Sequence, residues 1–386
     1  VLGTALLGMN QPDKALESFE RAEEFSNDPS QIALAFGIAY RKAGQLEKSE
    51  SELRSALEAD PKSAAAMVQM GETLAAMKRL PEARKYFTRA AADPGTRALA
   101  TNRMAEIYLA HDRPEEALEL YQSLEDDEAA NLATFIGLAK VHQAANRFEE
   151  AEKALAKGTE RFPENAEAYR RLGMHLAMVR RYARANTVLE QARTLSPADP
   201  RVRKALSLVA YRQGNLKRAV TEAEALLKLV PGSTADQFYL ATLLEESGRT
   251  EEAGALYEQI LDANPKEMAS LNNLAQLRLK SGDTDAAVEL AARAVLLAPD
   301  NPMILDTHGW ILYQSKDARK ALESLEKAVA SPKASPTHRY HLAVVYGDLG
   351  MNAKAVEQLE AALAPKTEFS EKQEAMDLAK KLRQNP

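Results

Sequence analysis

The amino-acid sequence predicts an all-α chain, an α-solenoid of about eleven 34-residue helical hairpins followed by one further helix. Three observations carry that prediction. The first is a ladder. Stepping by 34 residues from Ala185 in both directions meets Ala15, Ser49, Ala83, Ala117, Ala151, Ala219, Ala253, Ala287, Ala321 and Ala355, with no insertion or deletion. The second lies 12 residues before each rung, where every residue is small: Gly3, Gly37, Gly71, Ala105, Ala139, Gly173, Ser207, Ala241, Ala275, Gly309 and Ala343. The third lies five residues before each rung, where eight units carry Gly, Asn or Asp (Asn10, Gly44, Asp112, Asn146, Gly214, Gly248, Gly282, Gly350). A fixed period of this length overrides the two or three ordinary domains that 386 residues would otherwise suggest.

Each part of the unit has a physical reason. Two helices approach closely only where neither backbone carries a bulky side chain, and overpacking such a contact costs about 1–3 kcal/mol. Hence the small residue of the first helix. Three residues on, a larger group fills the core in most units (Leu6, Tyr40, Leu74, Tyr108, Leu176, Leu244, Leu312, Tyr346), with Ala210 and Arg278 as exceptions. The chain then reverses through a residue expected to be left-handed, a conformation Gly, Asn and Asp tolerate best. Lys78, Arg180 and Lys316 occupy that position in three units and are expected to carry mild strain.

The second helix shows apolar spacing of 0, +4 and +7 from the rung, as in Ala83, Phe87, Ala90 and Ala321, Leu325, Ala328. It ends near a proline in most units, among them Pro163, Pro197, Pro231, Pro265 and Pro299, because proline cannot continue a helix interior. Several units restart with a cap and a proline: Asp199-Pro200, Asn301-Pro302, Ser335-Pro336. Past Pro365 the ladder stops. Ser370 to Gln373 form a capping-box pattern, and Ala375, Met376, Ala379 and Leu382 form the apolar stripe of a helix expected to cover the end of the array. The expected division is therefore 1–366 for the repeats and 367–386 for a C-terminal capping helix. Val1 falls inside the first helix of a repeat, which reads as a chain whose N-terminus was cut away.

Small residue, aromatic or leucine, alanine, and proline at these spacings resemble the tetratricopeptide repeat (TPR). The resemblance implies a right-handed superhelix of helical hairpins whose first helices line a concave groove.

Composition narrows the chemistry. There is no cysteine, which excludes disulfides, thiolate zinc sites and cysteine nucleophiles. A net charge of −6 argues against bulk nucleic-acid binding. No apolar run of about 18 residues offers a membrane span, and no signal-peptide pattern is visible. The six histidines (His111, His142, His175, His308, His338, His341) are scattered. His338 and His341 could share a helix face but lack an acidic ligand at matching spacing. His142 takes a core position and is expected to be buried and hydrogen-bonded. Neither a phosphate-binding loop nor a dinucleotide fingerprint nor H-E-x-x-H occurs. Adjacent glutamates (Glu115-Glu116, Glu149-Glu150, Glu251-Glu252) start second helices, where they suit the helix dipole. The sequence therefore reads as non-catalytic, with no cofactor and no metal.

The groove remains. In the family, inward-facing positions lie about 15, 14, 11, 8 and 7 residues before the rung. Projected here, they give Arg170, Arg171, Lys204 and Arg212 in a basic segment, and then Phe238, Tyr239, Asn272, Asn273, Gln276, Asp306, Trp310, Tyr313, Tyr340 and His341. The segment 161–220 holds 13 Lys/Arg against 4 Asp/Glu. Basic residues followed by aromatics and amides suit an acidic peptide, an anionic polysaccharide or an extended partner strand, with solvated faces as the plain alternative for the arginines and inter-repeat packing for Trp310. The carboxylate clamp of TPR co-chaperones is absent: Asn273 matches one element, while Phe238, Thr242, Met303 and Thr307 replace the others.

The last repeats, Ser270 to Gln314 and Tyr340 to Leu363, further resemble bacterial TPR lipoproteins of exosortase (PEP-CTERM) and exopolysaccharide-export systems, most of all from Ala298 to Trp310. That resemblance implies a protein-interaction scaffold in the periplasm or at the outer membrane. Beside it stand a cytoplasmic adaptor that docks a peptide or partner domain, and direct binding of acidic glycan or RNA by the 161–220 segment. RNA ranks last because the aromatics lie away from the arginines.

Overall fold

The computed structural model describes residues 2–23, 25, 27–364 and 368–384, and among them it holds helices and no strand. The helices are α1 (Leu2–Gly8), α2 (Pro12–Glu23), α3 (Pro29–Lys42), α4 (Leu46–Ala59), α5 (Ala64–Ala76), α6 (Leu80–Ala90), α7 (Arg97–Ala110), α8 (Pro114–Glu125), α9 (Leu132–Ala144), α10 (Phe148–Arg161), α11 (Ala166–Met178) and α12 (Tyr182–Leu195). They continue as α13 (Pro200–Arg212), α14 (Leu216–Leu229), α15 (Thr234–Glu246), α16 (Thr250–Ala263), α17 (Met268–Lys280), α18 (Thr284–Leu297), α19 (Pro302–Gln314), α20 (Ala318–Ala330), α21 (Pro336–Asp348), α22 (Asn352–Leu363) and α23 (Lys372–Gln384). Odd-numbered helices up to α21 are the first helices of hairpins. Two compact units, Val1–Ala205 and Leu206–Pro386, divide the chain within α13.

Inside each unit the packing follows the ladder. All eleven rung residues, Ser49 included, are at most 1% exposed. The small residues 12 before them are buried, and the five glycines among them show why. A Cβ on Gly3, Gly37, Gly71, Gly173 or Gly309 would stand 2.4–2.7 Å from Phe19, Leu53, Phe87, Leu189 or Leu325, the residue four beyond the rung. Where that residue is only alanine (Ala223, Ala291), the facing position holds Ser207 or Ala275. Ser49 and Ser207 meet the cost of a buried hydroxyl in mirror fashion. Ser49 donates to the Gly37 carbonyl at 2.7 Å, from rung to first helix, and Ser207 donates to Ala219 at 2.8 Å in the opposite sense.

The hairpins close identically. The residue five before the rung has positive φ in all eleven units, including Lys78 (63°), Arg180 (61°) and Lys316 (68°). The next amide donates five residues back, as from Arg79 to Leu74 and from Asp317 to Leu312, which is the Schellman closure of a helix end. The expected strain thus sits where lysine and arginine adopt a glycine conformation.

The expected repeat boundary at 366/367 lies outside the described residues. The final helix departs from expectation in two details. It begins at Lys372, and Gln373 donates its side-chain amide forward to Asp377 at 3.2 Å. Met376 is 49% exposed; the stripe that packs on the preceding hairpin is Ala375, Leu378, Ala379 and Leu382. Both phases satisfy helical periodicity, and the lie of α23 against α22 decides between them.

Candidate partner-binding face

The two units present different chemistry at the projected groove positions. In Val1–Ala205 the first helices carry ion pairs. Glu72 on α5 receives Arg41 from α3 at 2.6 Å and Arg103 from α7 at 3.3 Å. Glu167 on α11 receives Arg170 at 2.6 Å and Arg171 at 2.7 Å, with Arg201 at 3.4 Å. Burial alone would raise the Glu167 carboxyl; the two guanidiniums of its own helix hold it below the usual range instead. Arg170 and Arg171 of the expected basic face are therefore ion-paired, sharing one carboxylate. Arg181 and Arg184 likewise pair with Glu152 on α10, a carboxylate outside the 161–220 window. Lys204 is half-buried near the end of this unit and Arg212 is exposed in the other.

In Leu206–Pro386 the projected residues split into two groups. The upstream group is largely packing. Phe238 lies against Tyr257 with ring centroids 5.6 Å apart, and Tyr239 hydrogen-bonds Ser207 at 3.0 Å. Asn273 donates to the Tyr257 hydroxyl at 3.0 Å. Asn272 is 5% exposed and its Oδ1 finds no partner, while Gln276 reaches Thr307 at 3.4 Å.

The downstream group is built across two first helices. Trp310 on α19 stacks on His341 of α21, with centroids 4.0 Å apart and planes 18° from parallel. Tyr313 tilts against Trp310 at 5.3 Å, and Tyr340 against His341 at 5.9 Å. Asp306, 7% exposed, holds His341 Nδ1 at 2.9 Å and so fixes the ring under the indole. Tyr313 gives its hydroxyl to Asp348, and burial together with that carboxylate pushes its pKa up to about 12. All four rings are half-buried, so each keeps an accessible part. Trp310 therefore has a packing role between repeats and an outward surface at once.

The histidines sort by contact. His338 closes a capping box with Ser335 at the start of α21, so it and His341 point to different partners. His142 is buried as expected, but its Nδ1 has no partner, a correction to the expected hydrogen bond. Among the described residues no group of His, Cys, Asp and Glu is placed to hold a metal ion, and no helix is long and apolar enough to cross a membrane.

Asp348, Glu371 and Glu374, which border these rings, were not among the sequence candidates. The available signal was the contact spacing of 35 residues, one repeat plus one, that joins both Asp306 to His341 and Tyr313 to Asp348.

Successive helical hairpins closed by the same turn define an all-α helical-repeat protein. Family profiles described as tetratricopeptide repeat match residues 34–97, 108–173, 179–234, 244–309 and 307–370, most of the chain. The chain belongs to the tetratricopeptide repeat family, whose members are in general non-catalytic scaffolds that bind proteins or peptides. No curated protein matches it. Among solved structures, it is similar to a tetratricopeptide repeat protein from Parabacteroides merdae, at 14% identity over 66% of this chain and 99% of that one, with a TM-score of 0.52. It is also similar to yeast Tom70, at 15% identity, 99% and 94% coverage and a TM-score of 0.45. A third likeness is to the APC/C hetero-tetramer Cut9-Hcn1, at 13% identity, 98% and 95% coverage and 0.46.

Proposed function

We propose that this chain is a protein-interaction scaffold whose principal contact surface is the first-helix face of its last two repeats, gripping an extended peptide or the edge of a partner domain. The observation that supports this is the gathering of Trp310, Tyr313, Tyr340 and His341 into contiguous, half-buried rings braced from beneath by Asp306. Rigid aromatics supply contact area at low entropic cost, and bracing them in advance lowers that cost further. The basic segment has less support as a polyanion site, because Arg170, Arg171, Arg181 and Arg184 already hold carboxylates.

The setting we propose is bacterial envelope export or sorting of exopolysaccharide or protein, with a periplasmic or outer-membrane-associated location. Its support is the resemblance of the last repeats, above all Ala298 to Trp310. Several residues of that block have folding roles: Asn301 caps α19, Gly309 makes room for Leu325, and Asp306 fixes His341.

A photo-crosslinking amino acid placed at Tyr313 or Tyr340 is expected to capture a discrete partner in the cells that make the protein. The same group at Glu289 or Lys354 on second helices is expected to capture none. Capture solely from the second-helix positions would overturn the assignment of the face.

A further inference from the structure

Resting on that reading of the face, we propose that it receives a cationic side chain, lysine or arginine, from an extended partner segment. The charge would lie among the rings of Trp310, Tyr313 and Tyr340 and against the carboxylate of Asp348. Two features of the structure, the rings and the carboxylates beside them, support this occupant, and the titration of the tyrosines agrees with the second.

First, the rings are of the type and arrangement that attract cations. Indole and phenol faces carry negative quadrupoles, tryptophan most strongly, and the attraction grows as water is excluded. Trp310 lies 5.3 Å from Tyr313 and 4.0 Å from His341, and Tyr340 lies 5.9 Å from His341, each ring partly exposed.

Second, three carboxylates around these rings, unlike Asp306 with its His341, have no lysine or arginine partner among the described residues. Asp348 meets the Tyr313 hydroxyl, Glu371 accepts from Thr337 at 3.1 Å, and Glu374 lies close enough to bias Tyr340. Among the described residues, no lysine or arginine pairs with any of the three. Of the cations close by in the chain, Lys372 pairs with Glu368 at 2.7 Å and Arg339 donates to the Gln358 side chain at 2.9 Å. This contrasts with Glu72 and Glu167, each already bridged by two or more arginines.

In keeping with this, the local field is negative at the rings themselves. Burial raises Tyr313 and Tyr340, and Asp348 in the one case and Glu374 with Glu371 in the other add to it. An incoming carboxylate would meet like charge, whereas a guanidinium or ammonium would complete the pairing that the chain leaves open.

The test uses fluorescein-labelled hexa-arginine, hexa-lysine, hexa-glutamate and hexa-serine, followed by anisotropy against the full chain at physiological salt. Hexa-arginine is expected to bind saturably and about tenfold or more tighter than hexa-glutamate. The double variant Asp348→Asn with Glu374→Gln, and separately Tyr313→Ala, are each expected to weaken it about fivefold or more. A charge-matched control, Glu251→Gln with Glu289→Gln on second helices, is expected to leave it unchanged, and circular dichroism checks that every variant keeps its helix content. Equal loss in the control would reduce the effect to bulk charge and overturn the proposal, as would no binding of the basic peptides. Tight binding of hexa-glutamate or hexa-serine that Tyr313→Ala abolishes would overturn the cationic occupant while keeping this face as the partner-binding one.

Discussion

The first helices of the two units make use of the same register in opposite ways. In Val1–Ala205, positions 14, 11 and 8 before the rung hold Arg103, Glu72 and Arg41, where one carboxylate bridges two guanidiniums across three successive repeats. In Leu206–Pro386, the corresponding positions of the last two repeats hold His341, Trp310 and Tyr313, and the carboxylates beside them stay without lysine or arginine among the described residues. One set of contacts is closed on itself and stabilises the stack. The other leaves aromatic surface and negative charge unsatisfied. The repeat register fixes where side chains meet; whether that meeting is internal or directed outward depends on whether the neighbour supplies the complementary charge.

The largest expected difference comes from removing one carboxylate in each region. Asp306→Ala removes the acceptor of His341 Nδ1 and the brace of the indole stacked on it, and leaving a largely buried polar group without its partner costs about 1–3 kcal/mol. Glu167 is one-fifth exposed and its arginines can turn to water, so Glu167→Ala is expected to cost about 1 kcal/mol or less. Hydrogen exchange read separately over α19 to α21 and over α11 measures both. Comparable protection loss in the two regions would erase the distinction.

Acid should weaken both units. Burial lowers the pKa of His142 and His175 in one and of His308 and His338 in the other. With folded values below an unfolded value of about 6.5, the unfolded chain takes up protons first as pH falls. Stability is therefore expected to be full above that value and to decline as pH drops below it, seen as a falling melting temperature between about pH 7 and pH 5. His142, whose Nδ1 has no partner to offset protonation, should be a strong contributor. His142→Gln is expected to flatten the slope, and an unchanged slope would remove it from the account.

The smallest effects should be alike in both units. Arg180→Gly in Val1–Ala205 and Lys316→Gly in Leu206–Pro386 replace left-handed non-glycine residues, and each is expected to stabilise by about 1 kcal/mol. Chemical denaturation measures this, and a loss of stability in either would show that the side chain has a contact worth more than the strain.

These comparisons also show what the sequence could disclose. Hairpin closure was legible because each rung, each small residue and each left-handed position has a steric reason that no distant contact can override; even Lys78, Arg180 and Lys316 obey the position rather than their type. The ring cluster was legible residue by residue, since Trp310, Tyr313, Tyr340 and His341 occupy projected positions. Its bracing and its charge were not. Asp306 and His341 meet 35 residues apart, and Glu371 and Glu374 reach the cluster because α23 packs against α21. Met376 was misassigned for a related reason: periodicity gives a helix two usable faces, and the neighbour selects one. Net charge in a window also omits partners from outside it, such as Glu152 of the preceding repeat, which pairs with Arg181 and Arg184.

The central claim, that the braced ring face of the last two repeats takes up a cation, can be read from the protein's single tryptophan. Emission from Trp310 should shift saturably as unlabelled hexa-arginine is added and stay level with hexa-glutamate. Emission unchanged by hexa-arginine, or shifted equally by both peptides, would contradict it.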